Sequence, residues 1–193
     1  MNLIFRLLKT LLLWVLRPAR RGILDESIVR FRVWPNDLDT NLHMNNGRYL
    51  TLMDLGRLDL LLRNGSIKHV LKQRWYPVLA GTLIRFRRPL NLFQPFEIRT
   101  RIVTWDSKWV YLEQRMLRRG DLVLQAYLKG VFMGPKGSVP ITALLELMGI
   151  RQPAPPMPPG LAAWMDAEAK LIRETRGDPA GGASDASPGP ASV

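Results

Sequence analysis

The 193-residue chain has no cysteine and only two histidines, His43 and His69. Disulfide staples, cysteine nucleophiles and thiolate metal sites are excluded on that count, and two imidazoles leave little material for a zinc site. Long hydrophobic runs are missing too. The longest uninterrupted one, Leu11 to Leu16, is far below the ~18 residues of a membrane-spanning helix. Acidic residues are scarce: 16 against 28 Lys and Arg give a formal charge of +12. That balance favours anionic partners such as lipid headgroups, a phosphorylated cofactor or nucleic acid. The arginines are spread along strand-like segments without a recognition helix or an aromatic RNA-binding motif, so nucleic acid is not expected as a partner.

What is present fits one domain with appendages. Residues 1–22 read as an amphipathic helix: Leu3, Ile4, Phe5, Leu7, Leu8, Leu11, Leu12, Trp14, Val15 and Leu16 form a broad apolar face, and Asn2, Arg6, Lys9, Thr10 and Arg17 a narrow polar stripe. Pro18 ends it, and Arg17, Arg20 and Arg21 follow. The segment has the makings of an interfacial anchor on anionic lipid; the alternative is a helix packed on the domain or at a subunit contact. Charges interrupt the apolar stretch and no small-residue cleavage pattern follows, which argues against a removed leader. The expected location is the cytoplasm, peripheral to a membrane surface.

Residues 23–150 read as the globular domain. A strand from Ile28 to Trp34 closes at Pro35, and a helix from Arg48 to Arg63 carries Tyr49, Leu52, Met53, Gly56 and Leu60 at helical spacing. Further leucines at 50, 55, 58, 61 and 62 widen its apolar surface so far that it must be enclosed. After a basic connection through Lys68, Lys72 and Arg74 come strand-like segments at Gly81 to Pro89, Phe96 to Trp105, Trp109 to Arg118 and Leu122 to Met133. Their short connections imply an antiparallel meander, and a short helix from Pro140 to Leu147 follows. Residues 151–177 read as a proline-rich linker and a helix from Leu161 to Arg176 able to dock on the domain, and residues 178–193 as a disordered tail. One strand, an enclosed helix and then antiparallel strands suggest an α+β sheet wrapped around a central helix.

Between the first strand and that helix stands Asp37-Leu-Asp39-Thr-Asn41-Leu-His43-Met-Asn45-Asn46-Gly-Arg-Tyr49. It resembles the D-x-D-x-N-x-H-x-N-N-x-x-Y signature of the acyl-thioesterase branch of the hotdog superfamily. The step from Asp39 to Tyr49 is similar to that of the 4-hydroxybenzoyl-CoA thioesterase group. With Arg48-Tyr49-Leu50, the run Pro95 to Arg101 and Trp105-Asp106, the chain most resembles the thioesterase superfamily member six group. The resemblance covers residues 2–134 and implies a hotdog fold, hydrolysis of acyl thioesters on CoA or acyl carrier protein, a homodimer with its site at the subunit boundary, and no metal or cofactor beyond the CoA thioester itself.

It also implies roles. Thioester hydrolysis needs a nucleophile or a base for water, and donors aimed at the oxyanion. Asp39 is the candidate carboxylate, nucleophile or general base, with Asn41 and His43 as polar partners. The chain turns into the helix near Asn45, Asn46 and Gly47, where free backbone N–H groups and the helix dipole suit an oxyanion; the Asn46 amide is the candidate donor. Asp54 matches a position where some members carry an acidic residue facing the site, and is equally readable as a solvated helix charge. Asp37 is expected to close a turn, Asn45 to cap the helix, Tyr49 to pack in the core and His69 to lie on the surface. Arg85, Arg87 and Arg88 are expected on an outward face, where CoA phosphates are the functional alternative. A hotdog domain that only binds acyl groups or organises lipid would carry the same pattern. A dehydratase or isomerase fits the D-x-N-x-H run less well.

Overall fold

The leucine-rich stretch beginning at Asn46 forms the central helix α2 (Asn46–Arg63), and the residues set at helical spacing, Tyr49, Leu52, Met53, Gly56 and Leu60, are all buried. Around it curls one antiparallel sheet built from β1 (Ser27–Arg32), β2 (Tyr76–Phe86), β3 (Pro95–Trp105), β4 (Val110–Arg118), β5 (Asp121–Gly134) and β6 (Gly137–Val139). This computed structural model describes residues 3–16 and 21–176; the expected tail from residue 178 and the residues Asn2, Arg17, Pro18 and Arg20 lie outside the described residues. Two compact units are present, Met1–Pro156 and Met157–Val193, and α5 (Pro159–Arg176) belongs to the second.

Alternation along the strands decides which side of the sheet meets α2. In β3, Phe96, Ile98, Thr100 and Ile102 are buried while Glu97, Arg99 and Arg101 point away. On that outer face Arg101 pairs with Glu113, Arg115 with Glu26 and Arg99 with Glu97. Much of the arginine excess in the strands is thus held in ion pairs. The inner face and α2 share one apolar core that includes Val29, Phe31, Leu52, Met53, Ile98, Met116, Leu124 and Leu128. The result is the hotdog arrangement, a sheet wrapped around a long helix.

The strand order is β1-β3-β4-β5-β2. The meander expectation holds for β3, β4 and β5 but not for β2, which pairs with β5 and not with the strand that follows it in sequence. A short connection does not force pairing when its residues have other partners. Here residues 87–94 cross the end of the domain: Val33 donates to Gln94 O at 3.0 Å, Phe93 to Val33 O at 3.0 Å, and Met44 to Leu90 O at 2.8 Å. The β2 strand also begins earlier than its alternating residues suggested, at Tyr76, and the basic connection contains a short helix, α3 (Ser66–Lys72). The helix expected near Pro140 is α4 (Ile141–Leu147).

The N-terminal helix α1 (Leu3–Leu16) lies on the domain with Arg6 and Thr10 of its polar stripe inward. Arg6 and Thr10 are buried, whereas Ile4, Phe5, Leu8, Leu12, Val15 and Leu16 are all 55–65% exposed. Its seat is polar: Lys9 donates to Arg30 O at 3.1 Å and the Trp14 indole to Leu62 O at 3.1 Å. Leu3 and Leu7 add edge contacts to the core.

Candidate active site

The reactive run forms a small loop closed on itself. Leu38 and Met44 make an antiparallel bridge, Asp39 N–H donates to His43 O at 2.9 Å, and Asn45 N–H to Asp37 O at 2.8 Å. Period two then separates core from chemistry: Leu38 and Met44 turn toward the core, so their neighbours Asp39 and His43 stand opposite one another on the other face. Leu42, with φ of 59°, makes the tight reversal. Asp39 is half-buried, and Asn41 and His43 are exposed.

Asp39 holds the loop through one oxygen. Its Oδ1 accepts the Asn41 N–H at 2.8 Å, and Oδ2 has no hydrogen-bond partner among the described residues. Tyr49, packed on Phe86 with ring centroids 5.3 Å apart, lies close enough to sense that carboxylate. Burial first, and the charge of Asp39 after it, push the Tyr49 phenol above its ordinary pKa despite the hydrogen bond from the Leu90 N–H to its hydroxyl, 3.1 Å. Tyr49 therefore stays a neutral wall of the site.

Asn45 is the helix cap, its Oδ1 accepting the Gly47 N–H at 2.8 Å. That bond commits the Gly47 amide to the cap. The Asn46 N–H has no partner among the described residues, and it stands at the positive end of an 18-residue helix. Asp37 is wholly buried, and its carboxylate receives Arg6, Arg48 and the Trp34 N–H. Burial alone would raise its pKa; the hydrogen bonds from Arg6, Trp34 and Arg48 and the Arg6 charge outweigh it and hold the carboxyl below its ordinary value.

A second feature lies further along α2. A cavity of about 330 Å³ lies between the C-terminal half of that helix and strands β2 to β5, walled by Leu58, Leu61, Val78, Leu112, Phe132 and Leu144, with Asp54 and Arg57 also in its lining. The volume is at the small end of the ~300–1,000 Å³ typical of ligand pockets. Asp54 and Arg57 are ion-paired, and Arg57 also donates to Gln114 Oε1 at 2.9 Å. Fully buried Gln114 in turn donates to Met53 O at 2.9 Å and Thr100 Oγ1 at 2.8 Å. Desolvation lowers the Arg57 pKa, against the opposing pull of Asp54.

So the structure sets Asp39 opposite His43 in one loop that leads into α2 at Asn46, and places Asp54 further along that helix. Arg57 stands eleven residues past Asn46 on α2, roughly 17 Å at 1.5 Å per residue. His69 is half-buried on α3, and Arg85, Arg87 and Arg88 are exposed, Arg88 pairing with Asp121. Sequence reading missed Arg57 at the cavity, Gln114 that holds it, and Arg6 beneath the loop. Only Arg57 had a local signal, its position three residues after Asp54 on the same helix face.

Residues 33–165 match the model of the thioesterase-like superfamily, well over half of the chain, and the chain belongs to that family. Among curated relatives, Protein THEM6 of Danio rerio is 42% identical over 106 residues, covering 55% of this chain and 52% of that protein. Protein THEM6 of Xenopus laevis is 39% identical over 113 residues, covering 58% and 55%. The chain thus spans about half the length of these relatives. In structure it is similar to the YbaW probable thioesterase of Escherichia coli, with 24% identity, a TM-score of 0.59 and coverage of 63% of this chain and 95% of that one. It is also similar to a gentisyl-coenzyme A thioesterase, with 21% identity, a TM-score of 0.57 and coverage of 62% and 99%. At these identities the structural likeness speaks to the hotdog fold alone.

Proposed function

We propose that this chain hydrolyses acyl thioesters carried on CoA or acyl carrier protein. The observation that carries the reading is that one short loop presents a half-buried carboxylate, Asp39, and leads into the Asn46 N–H at the start of α2, with neither Asp39 Oδ2 nor that N–H partnered among the described residues. Asp39 attacks the thioester carbonyl, the C–S bond breaks with the sulfur leaving as the thiol, and water hydrolyses the resulting mixed anhydride; or Asp39 takes a proton from a water that attacks the carbonyl and expels the same thiol. Asn46 holds the oxyanion, His43, opposite Asp39, shares proton transfer, and Asn41 orients substrate or water. The acyl group occupies the apolar cavity, with Asp54 and Arg57 in its lining. No resident cofactor enters this scheme; the CoA thioester is the substrate.

The separation of loop and cavity along α2 favours a homodimer. Strand β2 is an edge strand, paired among the described residues only with β5, and it exposes Tyr76, Val78, Leu79, Leu83 and Phe86. Such an edge is a template for another strand. A second copy paired antiparallel along β2 about a twofold axis would run its α2 antiparallel to the first, setting one copy's Asn46 toward the other's cavity. Leu83→Lys is expected to yield monomer by analytical ultracentrifugation, and wild type a dimer.

The outward apolar face of α1 fits a lipid surface. None of the described helices is long and apolar enough to cross a membrane, so the helix would lie in the interface plane. Wild-type protein is expected to sediment with phosphatidylserine-containing vesicles and the double variant Leu8→Gln/Leu12→Gln to stay in solution. Equal partitioning would remove this part of the reading.

The central test is free-thiol release from short- to long-chain acyl-CoAs, with Asp39→Asn alongside. Loss of a general base costs about 10²–10⁴-fold in rate, so the variant should fall at least a hundredfold. No turnover at any chain length, or equal turnover by the variant, would refute hydrolysis. A domain that only binds acyl groups is the second reading, favoured by the turn and cap bonds that Asp39 and Asn45 already make; it predicts acyl-CoA binding without thiol release.

A further inference from the structure

A wholly buried ion pair joins two segments 31 residues apart in sequence: Arg6 on α1 and Asp37 at the base of the reactive loop, both 0% exposed. The guanidinium reaches Asp37 with both terminal nitrogens, Nη1 to Oδ1 at 3.1 Å, and Nη2 also donates to Arg32 O at 2.9 Å. From the other side Arg48, in the first turn of α2, donates to Asp37 Oδ1 from Nε at 3.2 Å and Nη2 at 3.0 Å. The main chain of Asp37 closes the loop, its carbonyl accepting the Asn45 N–H at 2.8 Å. One carboxylate therefore fixes three things at once: the seat of α1, the base of the loop that carries Asp39, and the first turn of the helix that presents Asn46.

We propose that Arg6 is a positioning residue for the reactive loop, so that seating of α1 on the domain and the geometry of residues 37–48 form a single equilibrium. Arg6 touches no reacting group; it acts through Asp37. Without it, Asp37 is a buried carboxylate with two of its three partners, Arg48 and the Trp34 N–H, and it regains solvation by pulling the loop base away from the core. The apolar face of α1 points away from this contact. Whatever covers that face, which under the proposed function is a lipid surface, holds the polar stripe down and with it the loop. The cavity lies on the far half of α2, among side chains that Arg6 does not reach, so acyl binding and loop geometry are separable.

The test compares full-length wild type, Arg6→Met and Arg6→Lys by hydrogen exchange and by turnover of one acyl-CoA. Arg6→Met is expected to accelerate exchange of the amides of residues 37–48 at least tenfold while β3 to β5 keep their protection, with Arg6→Lys between it and wild type. If Arg6→Met does not fold, Arg6→Lys against wild type makes the same comparison. Unchanged protection in residues 37–48, or equal loss across the whole sheet, overturns the proposal. The turnover arm rests on the hydrolase reading: kcat should fall about tenfold in Arg6→Met with KM within twofold, and Arg6→Lys should recover part of it. A KM effect equal to the kcat effect, or no recovery by lysine, also overturns it. If wild type shows no turnover the hydrolase reading fails by itself, and the exchange measurement still decides the role of Arg6.

Discussion

Replacing Gly56 with alanine tests how closely α2 sits on the sheet. A Cβ built there lies 2.7 Å from Thr100 Oγ1, 2.9 Å from Gln114 Nε2 and 3.1 Å from Ile98 Cγ2. Thr100 is β-branched on a central strand and has little room to turn. Gln114 is long, but its amide is held by Met53 O, Thr100 Oγ1 and Arg57. Either α2 lifts off the sheet or the Gln114 network breaks. Overpacking of this kind costs about 1–3 kcal/mol, and a lost buried hydrogen bond adds about 1 kcal/mol. Alanine's better helix propensity returns about 1 kcal/mol. The net loss is about 1–3 kcal/mol, which at about 2–4 °C per kcal/mol for a domain of this size lowers Tm by about 2–12 °C. Because Arg57, which lines the cavity, rests on Gln114, KM for an acyl-CoA should also rise. Thermal denaturation followed by circular dichroism reads the first effect and thiol release the second. A Tm equal to or above wild type would refute the reading that this glycine exists to let the helix approach.

Other outcomes follow from single contacts. Asp37 has its carboxyl held below the ordinary 3.8, so the stability it contributes is present above pH ~4, the usual aspartate value, and is lost as pH falls through the lower folded value. Asp37→Asn should flatten the acid limb of a pH–stability curve below that point and lower stability at pH 7. The flattening is partial, because Asp106 is also lowered and titrates in the same window: there too burial raises the pKa, and the N–H groups of Trp109 and Lys108, the Tyr111 hydroxyl and Lys129 outweigh it. An acid limb as steep as wild type would show that Asp37 does not carry the linkage. Asn45→Ala removes the cap on the Gly47 N–H and should cost about 1 kcal/mol, while Asn45→Asp should cost little; equal losses in urea denaturation would deny the capping role. Arg57→Met leaves Gln114 Oε1 and Asp54 without this partner beside the cavity and should raise KM more than it lowers kcat, the reverse of the Asp39→Asn pattern.

The parts of this protein that were legible in the sequence are those governed by short-range periodicity. Tyr49, Leu52, Met53, Gly56 and Leu60 announce one buried helix face because a helix repeats every 3.6 residues. Phe96 to Ile102 announces a two-faced strand because side chains alternate. The spacing of Asp39, His43 and Asn46 placed them in one loop at a helix start, and local hydrogen bonds close that loop. Contacts between distant segments carry no such period. Nothing local says that β2 leaves its sequence neighbour for β5, that Asp54 and Arg57 border a cavity with Val78 and Phe132, or that Arg6 seeks Asp37 across 31 residues. The helix α1 shows the division most clearly. Its sequence determined an amphipathic helix with a broad apolar face, but only the tertiary structure decided that the narrow polar stripe docks: the buried carboxylate of Asp37 requires a partner, and Arg6 supplies it while the leucines remain outside.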